Sequence, residues 1–214
     1  RFLESHPDCS MTVHAAAVQN DRGELVNRNL MRPYRGDRDL SPAELIDKAG
    51  SFPFGAMLLR REVVENLPDW YFRCPVGDRP LELLSALKGY CHYADRFDSV
   101  YRFHGSGSWT EEMKSGDFKK KQDRYALAMR ELYRAFDRES GGRYHREAVS
   151  AARRVYFLTR VNLRDYGEIF SPRNRRYYRE LPLRDRFFIR AERELPFLFA
   201  GLRRVRDRIF GQER

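Results

Sequence analysis

Long hydrophobic runs are missing from this sequence. No stretch comes near the roughly 20 apolar residues that a membrane-spanning helix requires, and no secretory leader is recognisable. Cysteine is scarce: Cys9, Cys74 and Cys91 make an odd three with no Cys-x-x-Cys spacing. That argues against a disulfide framework and points to the reducing cytoplasm. No second close ligand accompanies any of the three, which argues against a zinc site. There is no nucleophile elbow, no phosphate-binding loop and no dinucleotide fingerprint. An initiator Met is also lacking: the chain opens RFLESHPD, which reads as the end of a helix, and the expectation is that further sequence lies upstream.

What is present suffices for a packed core. The chain has 214 residues, 42% of them hydrophobic and 14% aromatic, which places it outside the disordered class. Net charge is +10, and residues 171–214 hold 13 Arg and no Lys against 6 Asp and Glu. The basic excess therefore lies mainly in the tail, and it suggests an anionic partner surface.

Periodicity suggests the elements. CSMTVHAAAV (residues 9–18) is short, apolar and partly β-branched, as a buried strand is. NDRG at 20–23 is a turn, with ELVNRNL returning as the second arm of a hairpin. RPYRGDRDL reads as a polar loop. Ser41, Pro42 and Glu44 spell a capping box at the start of a short helix. FPFGAMLLR (52–60) reads as a buried strand, and REVVENLP as one or two helical turns stopped by Pro68. A helix is expected from about Arg79 to Lys88, with Gly89 as its stop. GYCHYAD and SVYRFH read as two strands parted by Arg96-Phe97-Asp98. Strands alternating with helices indicate α/β architecture. From about Gly116 long helices follow, at 117–139, 143–165, 183–194 and 196–210, with Gly141-Gly142 between the first two and Pro196 before the last. An organisational boundary is expected near residue 112, giving segments 1–112 and 113–214.

One stretch raises a chemical question. In PVGDRPLELLSALKGY (75–90) a loop with Pro75 and Gly77 delivers Asp78 to the start of an apolar helix. Asp is a favoured cap there, because its carboxylate accepts from exposed N–H groups and complements the helix dipole. From local sequence alone, capping outweighs catalysis.

Four pieces in order (FLESHPDCSMTVHAA, SFPFGAMLLRREVVENLPDW, GDRPLELLSALKGY and VYRFHGSGSWT) carry a resemblance covering about half of the chain. Residues 1–112 resemble the C-terminal half of the catalytic domain of bacterial family 2 glycosyltransferases. The resemblance implies a partial glycosyltransferase A-type mixed sheet flanked by helices, here followed by an all-helical region. It also implies an enzyme that moves a sugar from a nucleotide-sugar to an acceptor hydroxyl, with inversion and with Mg²⁺ or Mn²⁺. The setting it implies is bacterial cell-surface polysaccharide or glycolipid synthesis. The donor-binding half and its Asp-x-Asp would lie upstream, so the 214 residues alone are expected to be inactive.

The resemblance assigns roles residue by residue. Asp78 falls where the family has its general base, and Gly77 stands where a second acid is often found. His104 falls near the donor diphosphate and its metal, with Arg102 and the Gly105-Ser106-Gly107-Ser108 loop beside it. Phe54 and Gly55 fall on the strand beneath the acceptor, and Trp109 fits either stacking on an acceptor sugar face or covering the loop. Asp37-Arg38-Asp39 spells Asp-x-Asp but sits in a basic loop, and a solvated loop is the better reading. His14, His92 and His145 stand singly and read as structural or surface residues.

The tail adds a partner. Leu198, Leu202, Val205 and Ile209 form one apolar stripe, with Arg203, Arg204, Arg206 and Arg208 filling the rest. Residues 196–210 thus fit either an anchor on an anionic membrane surface or a helix packed on its own chain or on a second copy. The expected partners are a nucleotide-sugar, a saccharide or lipid-linked acceptor, and the cytoplasmic face of a membrane. A homo-oligomer is left open. Two other functions compete: a non-catalytic scaffold derived from a transferase, and a nucleic-acid-binding module suggested by charge alone. The second ranks low, since residues 1–112 carry little of the excess and no nucleic-acid motif appears.

Overall fold

The computed structural model describes residues 1–20, 22–25, 31–48, 52–102, 112–113 and 116–197. The fold is mixed α/β: a four-stranded mixed sheet with flanking helices and a helical C-terminal region. The chain forms two compact units, Arg1–Tyr156 and Phe157–Arg214.

Strand β1 (Cys9–Gln19) runs through the middle of the sheet, whose order is β2-β4-β1-β3. Its apolar, β-branched sequence suits a strand covered on both faces, and Cys9, Met11, Val13, Ala15, Ala16 and Val18 are all buried. β4 (Tyr90–Arg102) pairs parallel to it, while β3 (Met57–Leu59) on one side and β2 (Arg38–Leu40) beyond β4 run antiparallel.

Several expectations needed revision. The stretch read as two strands around Arg96-Phe97-Asp98 is one strand, and the interruption is absorbed as irregularities in the β1–β4 register between His14 and Ala16. The loop read at 32–40 ends in β2, because β4 offers a free edge that Arg38, Asp39 and Leu40 complete. The strand read at 52–60 is cut to three residues, since Phe54–Ala56 turn as a 3₁₀ helix first. In the expected hairpin, Leu25 bridges Gln19 and Met31 bridges Ala16, while residues 26–30 lie outside the described residues.

After the single turn α1 (Phe2–Ser5), helix α2 (Pro42–Lys48) begins with the capping box that its sequence spells. The Ser41 N–H donates to the Glu44 carboxylate at 3.0 Å and the Glu44 N–H donates to Ser41 Oγ at 3.3 Å. Single turns follow at α3 (Arg61–Val64) and α4 (Asp69–Phe72), the latter not expected from sequence. Helix α5 (Asp78–Lys88) then packs Leu81, Leu83 and Ala86 inward. Its stop, Gly89, has an extended backbone, so conformational freedom is not what makes it Gly. A Cβ there would meet the Asp8 carbonyl oxygen at 2.1 Å. That close approach lets the Tyr90 N–H donate to the same oxygen at 3.2 Å and start β4 alongside β1.

Helices α6 (Phe118–Glu139) and α7 (His145–Asn162) match the expected spans closely, joined through Gly141 and Gly142, both at positive φ. Met129, Leu132, Tyr133 and Phe136 from α6 and Ala148 and Ala151 from α7 join the same core as the sheet. The first unit therefore runs to Tyr156, beyond the change of pattern near residue 112.

The second unit has a core of its own. Phe157, Ile169 and Tyr177 are buried with Val161, Phe170, Tyr178, Leu181 and Ile189 around them. Its further helices are α8 (Tyr166–Ile169), α9 (Arg175–Glu180) and α10 (Leu183–Glu194). Asp165 caps α8 by accepting from the Glu168 N–H at 3.2 Å. The stripe expected at 198–210 lies outside the described residues. Among those described, no helix is long and apolar enough to cross a membrane.

One buried cation ties the first unit together. The last carbonyls of α2 have no partner within their own helix. Arg79 Nη1 donates to the Leu45 carbonyl at 2.9 Å, and Nη2 donates to that of Ile46. Its Nε donates to Tyr133 Oη at 2.8 Å, and Nη1 also reaches the Glu82 carboxylate. Arg154 does the same one residue on, reaching the Asp47 carbonyl and, at 2.7 Å, its carboxylate. Burial opposes the Arg79 charge, and Tyr133 and Glu82 outweigh that opposition, so the guanidinium stays charged. Burial pushes the Glu82 carboxyl up to about 7 despite the attached guanidinium.

Arg79→Met should cost about 3–5 kcal/mol in urea unfolding, because Glu82 and the α2 carbonyls lose their buried partner. Adding Glu82→Met should recover much of that loss. The raised Glu82 also has a sign. The stability it contributes is complete below its ordinary value of 4.5 and is lost as pH rises through about 7. Wild type should therefore lose stability relative to Glu82→Gln across that window, read from paired urea titrations.

Candidate active site

The site is built where the loop after α4 meets the first turn of α5. Arg73 to Gly77 form that loop, and Asp78 opens the helix. Gly77 holds the N-cap position and has no side chain to cap with. Asp78, one residue inside, takes over: its Oδ1 accepts from the Arg79 N–H at 2.7 Å. Oδ2 makes no hydrogen bond or ion pair with any described residue, and the side chain is half-buried. Capping thus occupies one oxygen and leaves the other.

The loop comes close to Phe54. A Cβ on Gly77 would lie 3.8 Å from the Phe54 ring, an ordinary contact, so the ring lies near the backbone next to Asp78. The ring remains 60% exposed, an unusual setting for a large apolar side chain. A Cβ on Gly55 would meet nothing within 4 Å, so the space in front of this turn is open. Phe54 thus lies against the loop residue before Asp78, with Gly55 on the same 3₁₀ turn.

On the cleft side, the same loop gives Pro75 to a cavity of about 390 Å³. Its walls carry three cationic side chains, Arg73, Lys121 and Arg124, with Tyr125 and Glu112. Lys121 Nζ donates to the Glu112 carbonyl. The Asp78 charge is felt locally: burial pushes the Cys74 thiol up, and Asp78 adds to the shift. Burial raises the Tyr125 hydroxyl as well, with Tyr133 and then Asp78 contributing.

Other expected site residues are not joined to this group. Arg102 is the last residue of β4 and pairs with Gln19, at the end of the ladder away from Gly89. It makes no hydrogen bond or ion pair with Asp78. His104, Ser106 and Trp109 lie outside the described residues, and their expected roles go with them.

No group of three or more His, Cys, Asp or Glu is arranged to hold a metal ion among the described residues. Burial pushes the Cys9 and Cys91 thiols up, away from the thiolate form that binds metals. The Asp-x-Asp at Asp37-Arg38-Asp39 is committed elsewhere. Asp37 Oδ1 accepts from the Asp95 N–H at 2.7 Å, and Asp39 Oδ1 lies 2.7 Å from His92 Nδ1. His145 is likewise paired with Asp137 at 2.7 Å, and His14 Nδ1 lies 2.9 Å from the Ala15 carbonyl.

Sequence reading missed the cleft. Arg73, Lys121, Arg124 and Tyr125 come from α6 and a loop about 50 residues apart, and no local pattern links them. It also gave Arg79 no role beyond marking the helix start; the available signal was an Arg three residues before a Glu in an otherwise apolar helix. No family model matches the chain, and neither a curated protein nor a solved structure does.

Proposed function

We propose that this chain is the acceptor-side part of an inverting glycosyltransferase, with Asp78 as the general base. The observation that carries the reading is the divided carboxylate: Oδ1 is held by the Arg79 N–H and Oδ2 is unclaimed by any described group, beside an exposed aromatic ring. A sugar hydroxyl is a poor nucleophile until its proton leaves. Asp78 Oδ2 takes that proton as the hydroxyl oxygen bonds to the anomeric carbon of the donor. The bond from that carbon to the diphosphate oxygen breaks, and the nucleoside diphosphate leaves with the electron pair. Asp78 ends as the neutral acid. A positioned base of this kind contributes about 10²- to 10⁴-fold.

Phe54 offers its exposed face to the apolar side of an acceptor sugar ring, and the open space at Gly55 admits it. The mixed sheet order, with one parallel and two antiparallel pairings, is compatible with a partial glycosyltransferase A-type sheet. The nucleotide-sugar, and the Mg²⁺ or Mn²⁺ that the sequence resemblance implies, would be held by residues outside those described.

Asn also caps helices well, so Asp78→Asn separates cap from base. In the full-length protein, transfer from a nucleotide-sugar should fall at least about 100-fold with the unfolding midpoint unchanged. Near-normal turnover by that variant would overturn the assignment. Phe54→Ala should raise KM for the acceptor by roughly tenfold while kcat changes little, since stacking contributes equally to ground and transition states. An unchanged acceptor KM would remove Phe54 from the site.

A further inference from the structure

Helix α10 has no buried residue. Its 3.6-residue period gathers Leu183, Phe187, Phe188, Ala191 and Leu195 into one mainly apolar arc, which also takes in Arg184 and Glu194. Leu183 is 76% exposed and Phe187 68%, and Phe197 just beyond is 92% exposed. The other side of the helix is the packed one. Ile189 joins the second core, Glu192 pairs with Arg164 at 2.9 Å, and Arg193 lies over the Phe170 ring. The apolar arc is therefore unpartnered among the described residues, and it is rimmed by cations.

Residues 171–197 carry eight Arg against four Asp and Glu. Arg184 sits over the Phe188 ring within the arc. Arg175 and Arg179, one turn apart on α9, are exposed and make no ion pair with a described carboxylate. We propose that this unit docks on an anionic lipid surface, with Leu183, Phe187 and Phe188 entering the headgroup boundary. Arg175, Arg179 and Arg184 then meet lipid phosphates.

Charge selects this occupant over a second copy of the chain. Pairing two such faces would bury the apolar arc but bring two excesses of four positive charges together. Nucleic acid would answer the arginines and leave Leu183 and Leu195 without a use. An anionic membrane satisfies both halves of the surface. The proposal is independent of the transferase reading, because vesicle binding requires no turnover.

The test is co-sedimentation of the full chain with vesicles of phosphatidylcholine alone, or with about a third phosphatidylglycerol. Binding is expected only to the anionic vesicles, weakening as salt rises. Phe187→Asp should reduce it at least about tenfold, and Arg175→Glu with Arg179→Glu should reduce it and flatten its salt dependence. Phe187→Ser serves if the Asp variant unfolds. Undiminished binding by these variants, or none by wild type, overturns the proposal. So does a wild-type dimer that Phe187→Asp dissociates, or salt-sensitive RNA binding that the same variants abolish.

Discussion

A single guanidinium, that of Arg79, holds the first unit in register. It closes the open carbonyl end of α2, reaches the hydroxyl of Tyr133 on α6 and sits against Glu82 on its own helix. A charge taken so far out of water is tolerable only when nearly all its donors are met. That condition fixes three helices relative to one another before any apolar packing is counted. Arg154 repeats the device at Asp47, so the same helix end is capped from two directions.

Asp78 owes its position to the same arrangement. Its neighbour Arg79 is immobilised, so the backbone N–H that Asp78 accepts from is immobilised too. Under the proposed role, capping and proton abstraction would be complementary uses of one side chain. A carboxylate that lacked the first role would wander through its rotamers, and one fully absorbed by it would have no oxygen left for chemistry. The Gly77 position matters in the same way. A polar residue there could cap the helix itself.

Much of this was legible in the sequence where local signals and tertiary demands agree. Ser41 and Glu44, the start and stop of α5, and the spans of α6, α7 and α10 are set by capping chemistry, glycines and apolar spacing. Legibility failed where a distant partner decides. Arg38–Leu40 is a strand only because β4 has an unfilled edge, and Met57–Leu59 is short because Phe54–Ala56 turn before it. β4 runs unbroken past Asp95 because Arg32 and the Gly36 N–H hold that carboxylate, drawing it well below the usual carboxylate range. Of the candidate site, the sequence singles out Asp78, Phe54 and Gly55 but gives no sign of the cationic cleft. Its members share no motif, only a place.

The contact between Gly89 and the Asp8 carbonyl has a mechanical consequence. It leaves no slack where α5 passes into β4, so the helix cannot slide along its axis against the sheet. Each residue of slip would carry the opposite end about 1.5 Å along that axis. The crowding at one terminus of α5 is thus the stop that fixes where Asp78 stands at the other.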